Sequence, residues 1–346
     1  MILTYKIKHN KDYSVELSKA KQIAEFAIKY NATSSAQVKQ FGLKSAISNQ
    51  ILRKYGRNNK IKKVSSVNLI IPNQSINVDF NNCVINIPCI KLKLPYKFSN
   101  FTKVNQIEIN NNYAFVSVTV PEQKQITPIS WIGVDLNTTG HCCVAANPTT
   151  GKVLKLGKKA HFTHTKYKNQ RQYLQKNKKF RLIKKMKNKE SNITRDLNHK
   201  ISRKVVNYAV ENKAGIVLEN LKGIRKNKKN AKSFRYSLNS WSFYQLQTFL
   251  EYKAKLLGIP VVKIDPAYTS QQCSKCGLLG NRNKKQFKCS HCGHVEDADV
   301  NASFSIALRH MGILRLPTDR DVGKGGTDAP ERQPYKGVQT LEPHVL

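Results

Sequence analysis

Hydrophobic and polar positions change their rhythm several times along this chain, and each change predicts a different kind of element. Residues 1–9 alternate as a strand does, and residues 14–30 then set Leu17, Ala20, Ile23, Ala24 and Ala27 at helical spacing. After a break at Asn31-Ala-Thr-Ser-Ser, a second helical stretch over 36–55 carries Val38, Leu43, Ile47, Ile51 and Leu52 on its apolar face. Residues 64–120 return to short β-rich runs separated by Asn and Pro: Val67-Asn-Leu-Ile-Ile, Cys83-Val-Ile-Asn-Ile, Ile90-Lys-Leu-Lys-Leu and Tyr113-Ala-Phe-Val-Ser-Val-Thr-Val. This pattern predicts an antiparallel barrel or sandwich with a small helical insertion at about 12–58. A polar linker over 121–128 precedes a fresh apolar strand at Trp131-Ile-Gly-Val, which opens a second domain.

The second half alternates helix and strand. A hairpin is expected through Cys142-Cys-Val-Ala-Ala and Lys152-Val-Leu-Lys-Leu, followed by a long helical excursion over 158–204. Helix 201–210 leads into strand Gly215-Ile-Val-Leu-Glu, and helix 242–257 into Ile259-Pro-Val-Val-Lys-Ile. A cysteine-rich insert and a helix over 300–311 follow, and the Gly- and Pro-containing polar stretch from residue 317 has no apolar period, which predicts disorder. The fold class expected is a multidomain α+β and α/β chain, with an N-terminal β-barrel over 1–126 and an α/β domain over 127–316 that carries an inserted ribbon at 268–296.

Charge narrows the class of partner. The chain has 346 residues, with 60 Lys+Arg against 21 Asp+Glu, a formal charge of +39 that repels itself unless a polyanion neutralises it. Phosphate is the obvious counter-charge. The densest basic stretch, 158–204, interleaves Lys and Arg with Tyr167, Tyr173 and Phe180. Its plain reading is a solvated helix face; the scarcity of acids favours phosphate contact, with Lys178, Lys179, Arg181, Lys184, Lys185, Arg203 and Lys204 as candidates. No run of about 18 apolar residues and no signal-like segment is visible, so no membrane partner and a cytoplasmic, nucleoid-associated location are expected.

The cysteines fall into two groups. Cys273 and Cys276, then Cys289 and Cys292, form two Cys-x-x-Cys pairs with twelve residues between them, the spacing of a closed, structural four-thiolate Zn²⁺ site. His291 and His294 stand close enough to substitute for a ligand, though four thiolates need none. Cys83, Cys89, Cys142 and Cys143 lie in apolar segments and are expected as reduced core thiols. The remaining histidines, His141, His161, His164 and His199, form no recognisable triad, and His199 reads as a surface or phosphate-contacting group.

Three acids carry the candidate chemistry. Glu219 ends the apolar run Ile216-Val-Leu, where a carboxylate is costly to desolvate without a compensating positive charge. Asp135 follows the strand Ile132-Gly-Val, and Asp299 stands just before the apolar helix, where taken alone it reads as an N-cap. Converging carboxylates repel unless a dication binds them. Gly133-Val-Asp-Leu-Asn, Val217-Leu-Glu-Asn-Leu and Asp297-Ala-Asp-Val-Asn-Ala-Ser resemble the three split RuvC motifs of the TnpB family, insertion-sequence-encoded nucleases related to type V CRISPR effectors. The likeness continues through Trp241-Ser-Phe-Tyr-Gln-Leu, Glu251-Tyr-Lys-Ala and Pro266-Ala-Tyr-Thr-Ser-Gln-Gln-Cys-Ser-Lys-Cys-Gly, covering about residues 130–312.

The resemblance implies a RuvC-like (RNase H) domain whose catalytic acids fall on Asp135, Glu219 and Asp299, with Asp297 the local competitor for the third place. Asp299 is preferred because the family's acid stands two residues before an Asn, here Asn301. It further implies an RNA-guided DNA endonuclease of a transposable element, with guide RNA and target DNA as partners and a monomer in the ribonucleoprotein. The wedge barrel and its inserted helices, assigned to residues 1–126, would grip the guide and read the flanking DNA. The carboxylate trio suits two catalytic Mg²⁺ ions, hard cations that take oxygen ligands and keep several waters. Rival readings are an RNA-guided DNA-binding regulator without cleavage and a structure-selective RuvC-like nuclease.

Overall fold

A computed structural model describes residues 1–56, 61–98, 100–186, 188–221 and 243–317. The tail expected to be disordered lies, beyond residue 317, outside the described residues. The chain divides into two compact units between Glu122 and Gln123.

Unit 1 begins with strand β1 (Ile2–Lys8), helix α1 (Ser14–Tyr30) and helix α2 (Ser45–Tyr55). The single helix expected over 36–55 is two pieces, a 3-10 segment Ser35–Phe41 and then α2. Gly42 ends the first piece with φ +63°, the left-handed geometry that a helix C-terminus takes most readily at glycine. Ile23, Ala24 and Ala27 of α1 and Ile47 and Ile51 of α2 are fully buried, as their spacing requires.

The β-rich segment supplies β2 (Leu69–Pro72), β3 (Asn77–Asp79), β4 (Val84–Ile87), β5 (Leu92–Pro95), β6 (Lys103–Ile109) and β7 (Tyr113–Thr119). They form a four-stranded antiparallel sheet, β1-β7-β6-β2, and a three-stranded one, β3-β4-β5. Among the described residues neither sheet closes into a ring, so the expected barrel takes the form of two separate sheets. Cys83 departs from its expected place in the core: it is exposed, in the turn between β3 and β4, with φ +52°. Cys89 is half-buried, whereas Cys142 and Cys143 are core thiols.

Unit 2 is built on the sheet β10-β9-β8-β11-β12, from β8 (Ser130–Leu136), β9 (Cys143–Ala146), β10 (Val153–Leu156), β11 (Ala214–Glu219) and β12 (Val261–Ile264). Strands β8, β9 and β10 are an antiparallel meander, while β8, β11 and β12 run parallel. The polar stretch before β8 is tied to this unit, since the Ile126 amide donates to the Gly258 carbonyl at 2.9 Å.

The long basic excursion is three helices: α3 (Lys158–Lys176), α4 (Phe180–Met186) and α5 (Lys189–Glu211). Its first break falls where Lys178 turns to φ +53°. Helix α6 (Phe243–Leu256) and helix α7 (Ala298–His310) complete the unit with a ribbon of β13 (Asn281–Asn283), β14 (Gln286–Lys288) and β15 (Val295–Asp297).

Strand alternation divides the sheet into two faces. Ile132, Val134, Ile216 and Leu218 enter one buried cluster with Val205, Val206 and Ala209 of α5 and Leu246 and Leu250 of α6. The intervening positions, Gly133 and Asp135 on β8 and Val217 and Glu219 on β11, therefore share the opposite face, against which α7 packs. A Cβ on Gly133 would lie 2.0 Å from the Ser303 carbonyl oxygen and 2.7 Å from the Ala307 amide, so only glycine lets α7 approach this closely.

Candidate active site and metal centre

Parallel register puts two of the three acids side by side. Leu218 pairs with Val134, and the next residues along, Glu219 and Asp135, leave adjacent strands on the same face. Neighbouring strands are about 4.8 Å apart, so two carboxylates at one level feel each other strongly. Asp299 comes from the first turn of α7 on that face, and it is 3% exposed while Asp135 is 7% exposed.

The electrostatics record this convergence. Burial pushes the Asp135 carboxyl up to about 8, with Glu219 and Asp299 adding to the rise and the hydrogen bond from Asn137 opposing it. Burial also raises Glu219, against the Thr269 hydrogen bond and the Arg309 and Arg282 charges, which pull it down. Around the trio, Asn137 Nδ2 donates to Asp135 Oδ2 at 2.7 Å, and the Thr269 hydroxyl donates to Glu219 Oε1. Arg282 Nη2 meets Asp299 Oδ1 at 3.0 Å, and the Lys285 ammonium meets Asp299 Oδ2. Asn137 stands two residues after Asp135 within the motif Gly133-Val-Asp-Leu-Asn, whereas Thr269, Arg282 and Lys285 sit 50, 17 and 14 residues from the acids they touch and no spacing pattern signals them.

Asp297 and Asp299 have different jobs. The N-cap of α7 is Asp297, whose Oδ1 accepts from the Asp299 amide at 3.0 Å and the Val300 amide at 3.3 Å. Burial raises its carboxyl, but the Lys155 ammonium at 3.1 Å and the capped amides outweigh that and hold it below the usual range. Asp299, which alone in the sequence reads as a cap, instead turns its carboxylate toward Asp135, Arg282 and Lys285.

Asn301 joins the acid site to the ribbon. Its Nδ2 donates to the Gln272 carbonyl at 2.8 Å and its Oδ1 accepts from the Ser274 amide at 2.9 Å, so the first Cys knuckle is bolted to the helix that carries Asp299. The four cysteine sulfurs lie within 4.8 Å of one another, with Cys273–Cys292 at 3.6 Å and Cys276–Cys289 at 3.5 Å. With Zn–S bonds of about 2.3 Å, a tetrahedral site has S–S edges of roughly 3.8 Å, so this donor set fits a structural zinc ion. Among the described residues it is the one cluster of this kind.

The basic candidates Lys178, Lys179, Arg181, Lys184, Lys185, Arg203 and Lys204 are all exposed, on α4, α5 and the turn before α4. Both a solvated face and a phosphate surface require that. His199 departs from the surface role expected of it: its ring stacks on Phe249 with centroids 3.9 Å apart. No described helix is long and apolar enough to cross a membrane.

Comparison with known proteins agrees with this architecture. The family model described as Cas12f1-like, TNB domain matches residues 243–306, which span α6, β12, the ribbon and most of α7. A CRISPR-associated endodeoxyribonuclease Cas12f1 of Sulfoacidibacillus thermotolerans is 38% identical over 138 residues, 39% of this chain and 31% of that protein. The chain thus spans about a third of the length of that relative. A solved Cas12f1–sgRNA–target DNA complex shares the mixed α/β fold with a TM-score of 0.59 and 18% identity, over 85% of this chain and 82% of that one. TnpB-like protein MJ0751 of Methanocaldococcus jannaschii is 31% identical over 240 residues, which are 64% of this chain and 84% of the relative. With that extent of shared sequence, the chain belongs to the TnpB-like family.

Proposed function

We propose that this chain is an RNA-guided DNA endonuclease of a transposable element, with Asp135, Glu219 and Asp299 as the metal-binding acids of a RuvC-like domain. The observation that carries the reading is the meeting of three acids from two adjacent parallel strands and a helix start on one buried face, close enough for Glu219 and Asp299 to raise Asp135. The sheet order β10-β9-β8-β11-β12, with its antiparallel meander and parallel extension, supports the RuvC-like assignment.

Three oxygen donors that repel each other fit hard divalent cations, and Asp135, Glu219 and Asp299 would hold two Mg²⁺. Bound there, the ions supply Lewis-acid stabilisation of phosphoryl charge and a more acidic water. In the hydrolysis, the water oxygen bonds to phosphorus while the P–O3′ bond breaks, leaving a 5′-phosphate and a 3′-hydroxyl. Asn137 and Thr269 hold the Asp135 and Glu219 carboxylates in position, as groups around a metal site do. Arg282 and Lys285 supply positive charge beside Asp299, suited to a phosphodiester. The zinc ribbon, clamped through Asn301, keeps those two cations at the site. Unit 1 takes the wedge role, and guide RNA and target DNA are the polyanions that the net charge of +39 calls for.

The test is to purify the chain expressed with its flanking genomic DNA, sequence any bound RNA, and assay the complex with Mg²⁺ on matched and unmatched DNA. Match-dependent cutting that Glu219→Ala abolishes is the expected result. Bound RNA with no cutting by the wild type would mark a regulator, and cutting that needs no RNA would mark a structure-selective nuclease.

A further inference from the structure

Helix α7 carries an acid in its first turn and an arginine in its last. Arg309 follows Asp299 at a distance of about 15 Å along the axis, at about 1.5 Å per residue. Its guanidinium bonds to the loop over 265–272, which joins β12 to the first Cys knuckle. Nη1 donates to the Ala267 carbonyl at 2.5 Å and more weakly to the Asp265 carbonyl at 3.5 Å, and Nε donates to Gln272 Oε1 at 2.5 Å. One planar group thus holds a stretch of chain that has no helix or strand ladder to set its path. Gln272, 1% exposed, is fixed in turn. Its Nε2 donates to the Gly277 and Arg315 carbonyls, and its own carbonyl accepts from Asn301 Nδ2 and Ser305 Oγ of α7.

The loop carries Thr269, 3% exposed, whose hydroxyl meets two acceptors, Glu219 Oε1 and the Pro266 carbonyl at 3.0 Å. A hydroxyl has one proton to give, so the placing of the Pro266 peptide decides whether the carboxylate receives it. Arg309 binds the carbonyls on either side of Pro266, those of Asp265 and Ala267. Arg309 Nη2 is buried and meets no acceptor among the described residues, and Glu219 acts on its charge more than Asp265 does. That unpaired N–H costs stability, so packing alone is a poor reason for an arginine here. The Glu219 backbone has separate support, because Gln247 Nε2 donates to its carbonyl at 2.9 Å.

We propose that Arg309 is a positioning residue for the acid site: by fixing the 265–272 loop it aims the Thr269 hydroxyl at Glu219. Helix α7 then sets two of the three acids, Asp299 directly and Glu219 through the loop. The inference rests on the reading of the three acids as metal ligands.

The experiment uses the full chain with the RNA that copurifies with it. It measures Mn²⁺ affinity by calorimetry, taken as the binding that Glu219→Ala removes, beside Mg²⁺-dependent cutting of matched DNA. Arg309→Gln is expected to weaken Mn²⁺ binding and slow cutting by about tenfold or more each, within the roughly 10- to 100-fold cost of losing a group that orients a metal ligand. Arg309→Lys keeps the charge but not the planar fork, so it should recover little of either. In a cycle with Thr269→Val, Arg309→Gln should add little to the loss already present, because both act on one carboxylate. Should Arg309→Gln fail to fold, the cycle is run with Arg309→Lys, whose loss must likewise vanish in the Thr269→Val background. Wild-type Mn²⁺ affinity in Arg309→Gln, full recovery in Arg309→Lys, or losses that multiply in the double variant would each overturn the positioning role while leaving the acid site intact. A wild-type chain that neither cuts nor binds Mn²⁺ more tightly than Glu219→Ala would overturn the functional reading beneath it as well.

Discussion

At the scale of single residues, the two acids of Asp297-Ala-Asp separate cleanly by what they touch. Asp297→Asn keeps a capping oxygen for the Asp299 and Val300 amides, so it is expected to cost under about 1 kcal/mol of stability and leave cutting near the wild-type rate. Asp299→Asn keeps the shape but removes the charge facing Asp135, and should lower cutting by more than about a hundredfold. A cleavage time course on both variants checks this, and an inactive Asp297→Asn beside an active Asp299→Asn would exchange their roles. Thr269 falls in the family-like run Pro266-Ala-Tyr-Thr, but its contact with Glu219 was not signalled, because the two lie 50 residues apart and no periodicity links them. Thr269→Val should reduce cutting by about 10- to 100-fold without unfolding the chain, the usual cost of losing a bond that orients a metal ligand.

Among the elements, α7 and its neighbours carry most of the consequences. Gly133→Ala would drive a methyl into the Ser303 carbonyl, and the helix must shift to relieve it. A stability loss of about 1–3 kcal/mol is expected, with a larger relative loss of cutting because Asp299 moves with the helix. Thermal melts paired with cleavage assays would read both effects. The four-cysteine cluster is compatible with structural zinc, and the expected outcome is that chelation or Cys276→Ser releases zinc by elemental analysis and exposes the ribbon to protease, since structural zinc binding is folding free energy. An unchanged zinc content in Cys276→Ser would count against the four-thiolate site.

Between α5 and α6 lies Lys253, 4% exposed, whose ammonium donates to the His199 carbonyl at 2.6 Å and Ser202 Oγ at 2.7 Å. Burial, and then the Arg203 charge, bring Lys253 down to about 8 from 10.5. The folded chain thus releases this proton before the unfolded chain does. Its burden on stability is full below pH 8 and is relieved as pH rises from about 8 to 10.5. The melting temperature of the wild type relative to Lys253→Met should therefore climb over that window. A flat difference would mean that the two hydrogen bonds hold the ammonium charged.

On the scale of the whole molecule, the charge of +39 is spread over exposed helices of the excursion as well as exposed lysines of unit 1 such as Lys8, Lys11, Lys91 and Lys93. Helix α4 has no buried residue, so its lysines and Phe180, 63% exposed, owe nothing to the core. The excursion is nevertheless anchored. Glu190 of α5 accepts from Arg171 of α3 and lies 3.0 Å from His164 Nδ1, tying the two long helices together beyond the short α4.

The sequence by itself determined the order of elements, the faces that α1 and α5 bury, the hairpin β9–β10, and the four cysteines that meet, whereas α7 buries the small and polar Asn301, Ala302, Ser303 and Ser305 that no apolar period marks. Each of these is written in a local period or a fixed spacing, and local geometry converts such patterns directly into structure. The three acids were legible as motifs of a family. That Asp135 and Glu219 leave adjacent parallel strands at one level was decided by strand register, a contact between segments about 80 residues apart. Only the tertiary structure showed that Asp297 is the cap while Asp299 faces Asp135, gave two separate sheets where the pattern left barrel and sandwich open, and exposed Cys83 in a turn. It alone surrounded the acids with Thr269, Arg282 and Lys285, and tied the ribbon to α7 through Asn301. Those placements depend on long-range packing, where a side chain's partner is chosen by the path of the whole chain and leaves no trace in the spacing of its neighbours.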